Sequence, residues 1–144
     1  MGLPIIVTVE YNVSKDVLAA MVVFAQATEA TLITLEFSSQ VLFTPEDREK
    51  LSSAGTPLAD FLLDGTNLFQ EALTWALGGF ILYDSLAVGY LLWPELYGDV
   101  ESTPIRVMPS GRTQRGGTGP LVGVPHAVDA TAFTERFIRE VSRP

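Results

Sequence analysis

The feature that most constrains this chain is an apolar run from Phe80 to Leu92 that contains a single acidic residue, Asp84. Moving a polar group into apolar surroundings without a partner costs about 2–7 kcal/mol, and a charge costs more. The fold therefore has to satisfy the carboxylate of Asp84. Gly78-Gly79 ends the preceding element and Phe80 to Leu82 forms a short strand or bend, so Asp84 with Ser85 is predicted to cap the helix that follows.

The same position of Asp84 allows two interpretations. As an N-cap, its carboxylate accepts hydrogen bonds from free backbone N–H groups and stabilises the helix by about 1 kcal/mol. A helix N-terminus also favours an ionised carboxylate, which keeps it available as a metal ligand or a base. Spacing alone favours the cap, and both interpretations remain open at this point.

Length and composition predict one domain, residues 1–144, that is large enough to bury a core. Apolar residues make up 47% of the chain and charged residues 18%, below the roughly 25% of ordinary soluble domains. The mean hydropathy is +0.28. Such an apolar small domain is typical of a protein whose surface is covered by a partner.

Charge and cysteine content exclude several classes of function. The net charge is −8 with 9 Lys and Arg residues, so binding to nucleic acid or to an acidic membrane is not expected. No Cys is present, which excludes disulfides and thiolate metal sites. Residues 1–9 do not resemble a signal peptide, and residues 80–93 are shorter than the ~20 apolar residues of a membrane span. A soluble, cytoplasmic protein is predicted.

Alternating strand and helix patterns predict an α/β fold, a mixed or parallel sheet flanked by helices. The predicted strands are Leu3–Val9, Thr31–Phe37, Pro104–Met108 and a last strand near His126. The predicted helices are Asp16–Gln26, Thr44–Leu51, a longer one from Thr56 to Gly78-Gly79, one from Asp84 to Pro94, and Ala130–Val141.

Three residues at the end of the first predicted strand form a candidate binding site: Glu10, Tyr11 and Asn12. In open α/β sheets, ligands bind beyond the carboxyl ends of the strands. An alternative is a plain strand-end turn in which Asn12 is the turn former. The residues alone favour the turn.

Several stretches, in order, resemble the inosine-uridine preferring nucleoside hydrolases. Glu10-Tyr11-Asn12, with Asp16 and Ala19-Ala20, is similar to that family's Glu-Phe-Asn, Asp-Pro and Ala-Ala run. The stretch from Leu35 to Val41 is similar to Leu-Asp-Val-Thr-His-Gln, Tyr83 to Val88 to His-Asp-Pro-Leu-Ala-Val, and Arg115 to Thr118 to an Arg-Gly-x-Thr turn, while Asp129 and Phe133 match the last strand-to-helix junction.

The resemblance implies hydrolysis of the N-glycosidic bond of ribonucleosides to base and ribose, with calcium as the cofactor. It implies that Glu10 and Asn12 hydrogen-bond the ribose hydroxyls and that Tyr11 lines the pocket. It further implies that Asp84 is a calcium ligand and that Tyr83 occupies the general-acid position of the family's His. A ribonucleoside or ribose is the implied small-molecule partner.

The resemblance covers only the C-terminal half of the family, so the fold is expected to be incomplete relative to it. The Asp-x-Asp-x-x-x-Asp-Asp motif, which supplies most calcium ligands in the family, does not occur here. Because calcium takes 6–8 oxygen ligands, we expect no activity from the isolated chain.

Three hypotheses follow. The first is an enzyme completed by a homo-oligomer or by a complementary N-terminal half. The second is a non-catalytic relic, fragment or subunit that acts through a partner chain. The third is an unrelated small α/β module, which the ordered matches oppose.

Overall fold

The computed structural model describes residues 10–26, 29–65 and 77–143. They belong to two compact units: a first unit of residues 1–37 and 97–127, and a second unit of residues 38–96 and 128–144. The predicted strand Leu3–Val9 lies outside the described residues.

The described chain contains both helices and strands. In chain order they are α1 (Tyr11–Lys15), α2 (Val17–Gln26), α3 (Leu35–Ser38), β1 (Leu42–Phe43), α4 (Pro45–Ser52), α5 (57–65), β2 (Phe80–Ile81), α6 (Tyr83–Leu92), a 3₁₀ turn (Pro94–Leu96), β3 (Val100–Val107), β4 (Thr113–Arg115), β5 (Leu121–Pro125) and α7 (Ala130–Val141). No helix within the described ranges is long and apolar enough to cross a membrane.

The first unit is built on a three-stranded antiparallel sheet in the order β4-β3-β5. Buried residues alternate along the second half of β3, as expected where one face of a strand is covered. The core beneath it contains Ile105, Val122 and Val124, with Phe24 of α2 packed against them. The predicted strand Pro104–Met108 is therefore confirmed and begins earlier, at Val100.

One parallel bridge extends this sheet, between Thr31 and Gly123 of β5. The N–H of Leu32 donates to the Gly123 carbonyl and the N–H of Gly123 donates to the Ala30 carbonyl, both at 2.8 Å. Glycine fits closely here, since a Cβ at position 123 would lie 3.0 Å from Val100 Cγ1 and 3.3 Å from Thr31 Oγ1, and both side chains would have to shift slightly.

The prediction of a strand over Thr31–Phe37 is wrong beyond Thr31. Residues 32–34 belong to no helix or strand, although the Leu32 N–H still bonds to Gly123, and Leu35–Ser38 is a helix turn. The Thr34 hydroxyl accepts a hydrogen bond from the Phe37 N–H at 3.1 Å, as an N-cap does. This local bond offers the backbone an alternative to a sheet ladder.

Helix α2 begins where the sequence predicts, because Asp16 caps it. The Asp16 carboxylate accepts from the Ala19 N–H at 2.9 Å. None of the residues of α2 is fully buried, and Leu18, Val22 and Val23 are more than half exposed.

In the second unit, α4 begins with the capping box that Thr44-Pro45 predicts. Thr44 Oγ1 accepts from the Asp47 N–H at 3.3 Å, and the Thr44 N–H donates to Asp47 Oδ2 at 3.1 Å. Such a cap stabilises a helix by about 1 kcal/mol. Thr56 likewise caps α5, because its hydroxyl accepts a hydrogen bond from the Ala59 N–H at 3.2 Å. The predicted continuation of α5 through residues 66–76 lies outside the described residues.

The core of the second unit lies around α6 and α7. Phe133 of α7 is fully buried and contacts Trp93 edge to face, with ring centroids 5.8 Å apart. Phe137 contacts Phe43 in the same way at 5.9 Å. Helix α7 has the predicted bounds and is capped by Asp129, which accepts from the Ala132 N–H at 3.0 Å.

Candidate functional site

The first unit carries Glu10, Tyr11 and Asn12 at the start of α1. Glu10 occupies the N-cap position without a side-chain cap bond, and Asn12 lies in the helix rather than in a turn. Tyr11 is 67% exposed, and Lys15 Nζ lies 4.4 Å from the centroid of its ring. Tyr11 and Asn12 therefore stand on the surface, while Glu10 is half-buried.

Glu10 lies against the turn that contains Leu35 and Glu36. Burial raises the pKa of the Glu10 carboxyl, the Glu36 carboxylate raises it further, and a hydrogen bond from the Leu35 backbone N–H opposes the shift. The first unit thus brings together the Glu10 stretch and the start of the Leu35 stretch. The sequence alone did not predict this contact.

This environment should make stability depend on Glu10 ionisation. Because the folded-state pKa lies above the ordinary value of 4.5, folding favours the protonated carboxyl, and this stabilisation is lost as the pH rises through the folded-state pKa. Glu10→Gln, which stays neutral, should therefore be more stable than the native protein in urea denaturation at neutral pH. The difference should shrink as the pH falls toward about 3, where Glu10 is protonated in both states.

The matched control is Glu29→Gln, which changes an exposed glutamate of the same unit. It should leave the urea midpoint unchanged at both pH values. A Glu10→Gln protein that is less stable than the native one at neutral pH would contradict this description of the Glu10 environment.

The second unit carries Tyr83 and Asp84 at the start of α6, where the predicted cap is wrong. The helix begins at Tyr83, so Leu82 is the N-cap residue and no side chain caps the helix. The cause is the pairing of β2 with β1 through Ile81 and Phe80 and the burial of Leu82, which start the helix one residue before Asp84. Asp84 lies exposed in the first turn of α6.

Tyr83 is 39% exposed, and its ring stands edge-on to Phe80 with centroids 6.3 Å apart. Burial raises the pKa of its hydroxyl. The group therefore stays protonated near neutral pH and can donate a hydrogen bond. It is a weaker acid than a free tyrosine.

The described residues do not by themselves fit a calcium site. Calcium takes 6–8 oxygen ligands, and no group of three or more His, Cys, Asp or Glu side chains suited to a metal occurs in the described ranges.

A charged cluster on the sheet of the first unit was not predicted. Glu101 of β3 accepts from Arg115 at 3.0 Å and lies 2.8 Å from His126 Nε2. The side chains are about half exposed, so each pair contributes little stability, about 0–1 kcal/mol. Arg115, which begins the stretch similar to an Arg-Gly-x-Thr turn, thus forms an ion pair with the neighbouring strand β3. The next residue, Gly116, has a φ of +94°, as a turn glycine can.

The sequence model described as "Inosine-uridine preferring nucleoside hydrolase" matches residues 5–135. The curated "Pyrimidine-specific ribonucleoside hydrolase RihA" of Photobacterium profundum is 29% identical over 94 residues, which are 63% of this chain and 30% of that protein.

Solved structures of nucleoside hydrolases also match this chain. The "Purine-Preferring Ribonucleoside Hydrolase from Gardnerella vaginalis" matches with a TM-score of 0.81 at 27% identity, over 93% of this chain and 46% of that one. The "Plant nucleoside hydrolase - PpNRh1 enzyme" matches in fold with a TM-score of 0.84 at 18% identity, over 92% of this chain and 47% of that one. The predicted α/β class is confirmed, and the chain spans about half the length of these structures.

Proposed function

Because this chain belongs to the inosine-uridine preferring nucleoside hydrolase family, we propose that it binds the ribose of a ribonucleoside and takes part in hydrolysis of the N-glycosidic bond. The observation that carries the proposal is the match to the Gardnerella vaginalis hydrolase over 93% of this chain, with a TM-score of 0.81. The names of the relatives differ between pyrimidine-specific and purine-preferring. The proposal therefore covers ribose binding and hydrolysis of the N-glycosidic bond, and it names no preferred base.

Glu10, Tyr11 and Asn12 are the proposed ribose-binding residues. Asn12 is exposed and can offer both amide donors and an amide acceptor to sugar hydroxyls. Glu10 is positioned by the Leu35 N–H, and its carboxylate is a strong acceptor for a hydroxyl. The exposed face of Tyr11 supplies a flat apolar surface of the kind on which a sugar ring packs.

Asn12→Ala should weaken ribose binding by about 2- to 12-fold, the factor that corresponds to a net hydrogen-bond contribution of 0.5–1.5 kcal/mol. The measurement is a calorimetric titration of the chain with ribose and with inosine. Gln26→Ala is the matched control, because it removes an exposed amide of the same unit. The ribose proposal fails if Asn12→Ala binds as tightly as the native chain or if the control weakens binding equally.

Asp84 is the proposed calcium ligand of this chain. It is exposed at the start of α6, so its carboxylate oxygens are accessible to a cation. Since the described residues do not fit a complete calcium site, the remaining ligands are proposed to come from the rest of the nucleoside hydrolase fold.

Turnover is proposed to require that rest of the fold, because this chain corresponds to 46% of the Gardnerella vaginalis enzyme. We call the part of that enzyme outside the match the complementary fragment. Tyr83 is proposed to stand in the general-acid position, where its protonated hydroxyl would donate toward the leaving base.

A second candidate function is a non-catalytic subunit that acts through association. It is favoured by the lack, among the described residues, of a group of three side chains that could hold a metal. The two candidates differ in one result: only the first predicts ribose release when the complementary fragment is present.

A further inference from the structure

An open groove of about 560 Å³ runs between α6 and α7 in the second unit. Asp84 and Ser85 lie at its α6 start, and the α6 wall continues through Val88, Gly89, Leu92 and Trp93. Phe137, Glu140 and Val141 of α7 form the other wall. The residues of the α6 wall recur three and four positions apart, so they share one face of that helix.

The groove is an apolar surface that is open to solvent. Val88 is 55% exposed and Leu92 is 61% exposed, one helical turn apart. Contiguous exposed apolar surface of this kind marks a contact site for another polypeptide. Its polar members, Asp84, Ser85 and Glu140, lie among six apolar or small residues.

The lengths of the matched structures bear on what could fill the groove. Nearly all of this chain, 92–93%, superposes on nucleoside hydrolases, yet it accounts for only 46–47% of each. A fold of that family therefore contains about as much polypeptide again, and that polypeptide has to pack against surfaces that are open here. The groove begins at Asp84, the proposed calcium ligand, and the other ligands of that site are proposed to lie in that polypeptide.

We propose that the α6–α7 groove binds the half of the nucleoside hydrolase fold that this chain lacks in the match, through an apolar segment of that half seated between Val88, Leu92 and Phe137. The inference rests on the proposed function and names the partner that the function requires. A second copy of this chain is a poorer occupant, because each copy carries a net charge of −8 and like-charged chains repel.

The test is co-purification of the complementary fragment of the Gardnerella vaginalis hydrolase with the affinity-tagged chain after co-expression, in buffer that contains chelator and no nucleoside. The native chain should recover the fragment in a 1:1 ratio. Leu92→Glu and Val88→Glu should each reduce recovery at least about tenfold, because an unpaired carboxylate in an apolar contact is strongly disfavoured.

Leu91→Glu is the matched control, because Leu91 is 79% exposed on the same helix but does not line the groove. It should recover the fragment as the native chain does, and circular dichroism should show that all three variants fold. The inference is overturned by equal recovery with Leu92→Glu and the native chain, by loss with Leu91→Glu alone, or by no recovery at all. It is also overturned if light scattering shows a dimer of this chain that Leu92→Glu dissociates.

This experiment separates the inference from the proposed function. Recovery does not depend on calcium or on chemistry, so a complex that forms but releases no ribose contradicts only the proposed hydrolysis. If the isolated chain binds ribose but recovers no fragment, only the proposal that the groove binds the missing half is contradicted.

Discussion

When the chain is combined with the complementary fragment, Tyr83→His should raise the rate of nucleoside hydrolysis by about 10²-fold. That factor is the lower end of what a positioned general acid contributes. An imidazole with an ordinary pKa of about 6.5 gives up its proton near neutral pH far more readily than a phenol with an ordinary pKa of about 10. Burial shifts the pKa of the Tyr83 hydroxyl further upward. The measurement is the initial rate of ribose release from inosine and uridine at neutral pH.

The control for that substitution is Tyr83→Phe, which keeps the ring against Phe80 and removes only the hydroxyl. It should change the rate far less than Tyr83→His does, since the hydroxyl can donate a hydrogen bond to the leaving base but is a poor acid there. A Tyr83→His protein no faster than Tyr83→Phe would show that position 83 does not face the leaving group.

Phe133→Ala should destabilise the protein by about 3–5 kcal/mol, the usual cost of truncating a buried aromatic residue. Phe133 has no exposed surface and its ring contacts Trp93, so the truncation leaves a cavity beneath α7. The measurement is the free energy of unfolding from urea denaturation followed by circular dichroism.

Phe61→Ala is the control for the core, because it makes the same chemical change at a residue that is 72% exposed. It should fall within about 0.5 kcal/mol of the native protein. A Phe133→Ala protein as stable as this control would mean that α7 does not pack as described.

Elements with strong local signals could be predicted from the sequence. Asp16, Thr44 and Asp129 each cap the helix that follows, through hydrogen bonds that span three residues. Such a bond depends only on residues that are close together in the sequence. The bounds of α7 follow from the same kind of signal together with the spacing of its apolar residues.

Features that depend on pairing between distant segments could not be predicted. The start of α6 depends on the register of Phe80 with Phe43, and that register moved Asp84 from the expected cap into the first turn. The contact of Glu101 with Arg115 and His126 joins β3, β4 and the residue that follows β5. The prediction of a strand over Thr31–Phe37 was wrong because the hydroxyl of Thr34 caps a helix turn. The apolar pattern of that stretch favoured a strand and outweighed this local signal.

The candidate site was predicted through resemblance rather than through pattern. Glu10, Tyr11 and Asn12 by themselves indicated a turn, and only the ordered family stretches gave them a ribose-binding role. The proximity of Glu10 to Leu35 and Glu36 became visible in the fold of the first unit. The roles of Glu10, Tyr11, Asn12, Tyr83 and Asp84 stay predictions until the variants are measured.

The most direct measurement is ribose release from inosine and uridine in the presence of calcium, by the chain alone, by the chain with the complementary fragment, and by the Asp84→Asn chain with that fragment. We expect release only when the native chain and the fragment are combined. Asp84→Asn should lose at most about 1 kcal/mol of stability, since Asp84 is exposed in the first turn of α6, where the helix dipole contributes no more than that. Ribose release by the isolated chain, or undiminished release by the combined Asp84→Asn protein, would contradict the proposal that this chain supplies one part of a nucleoside hydrolase.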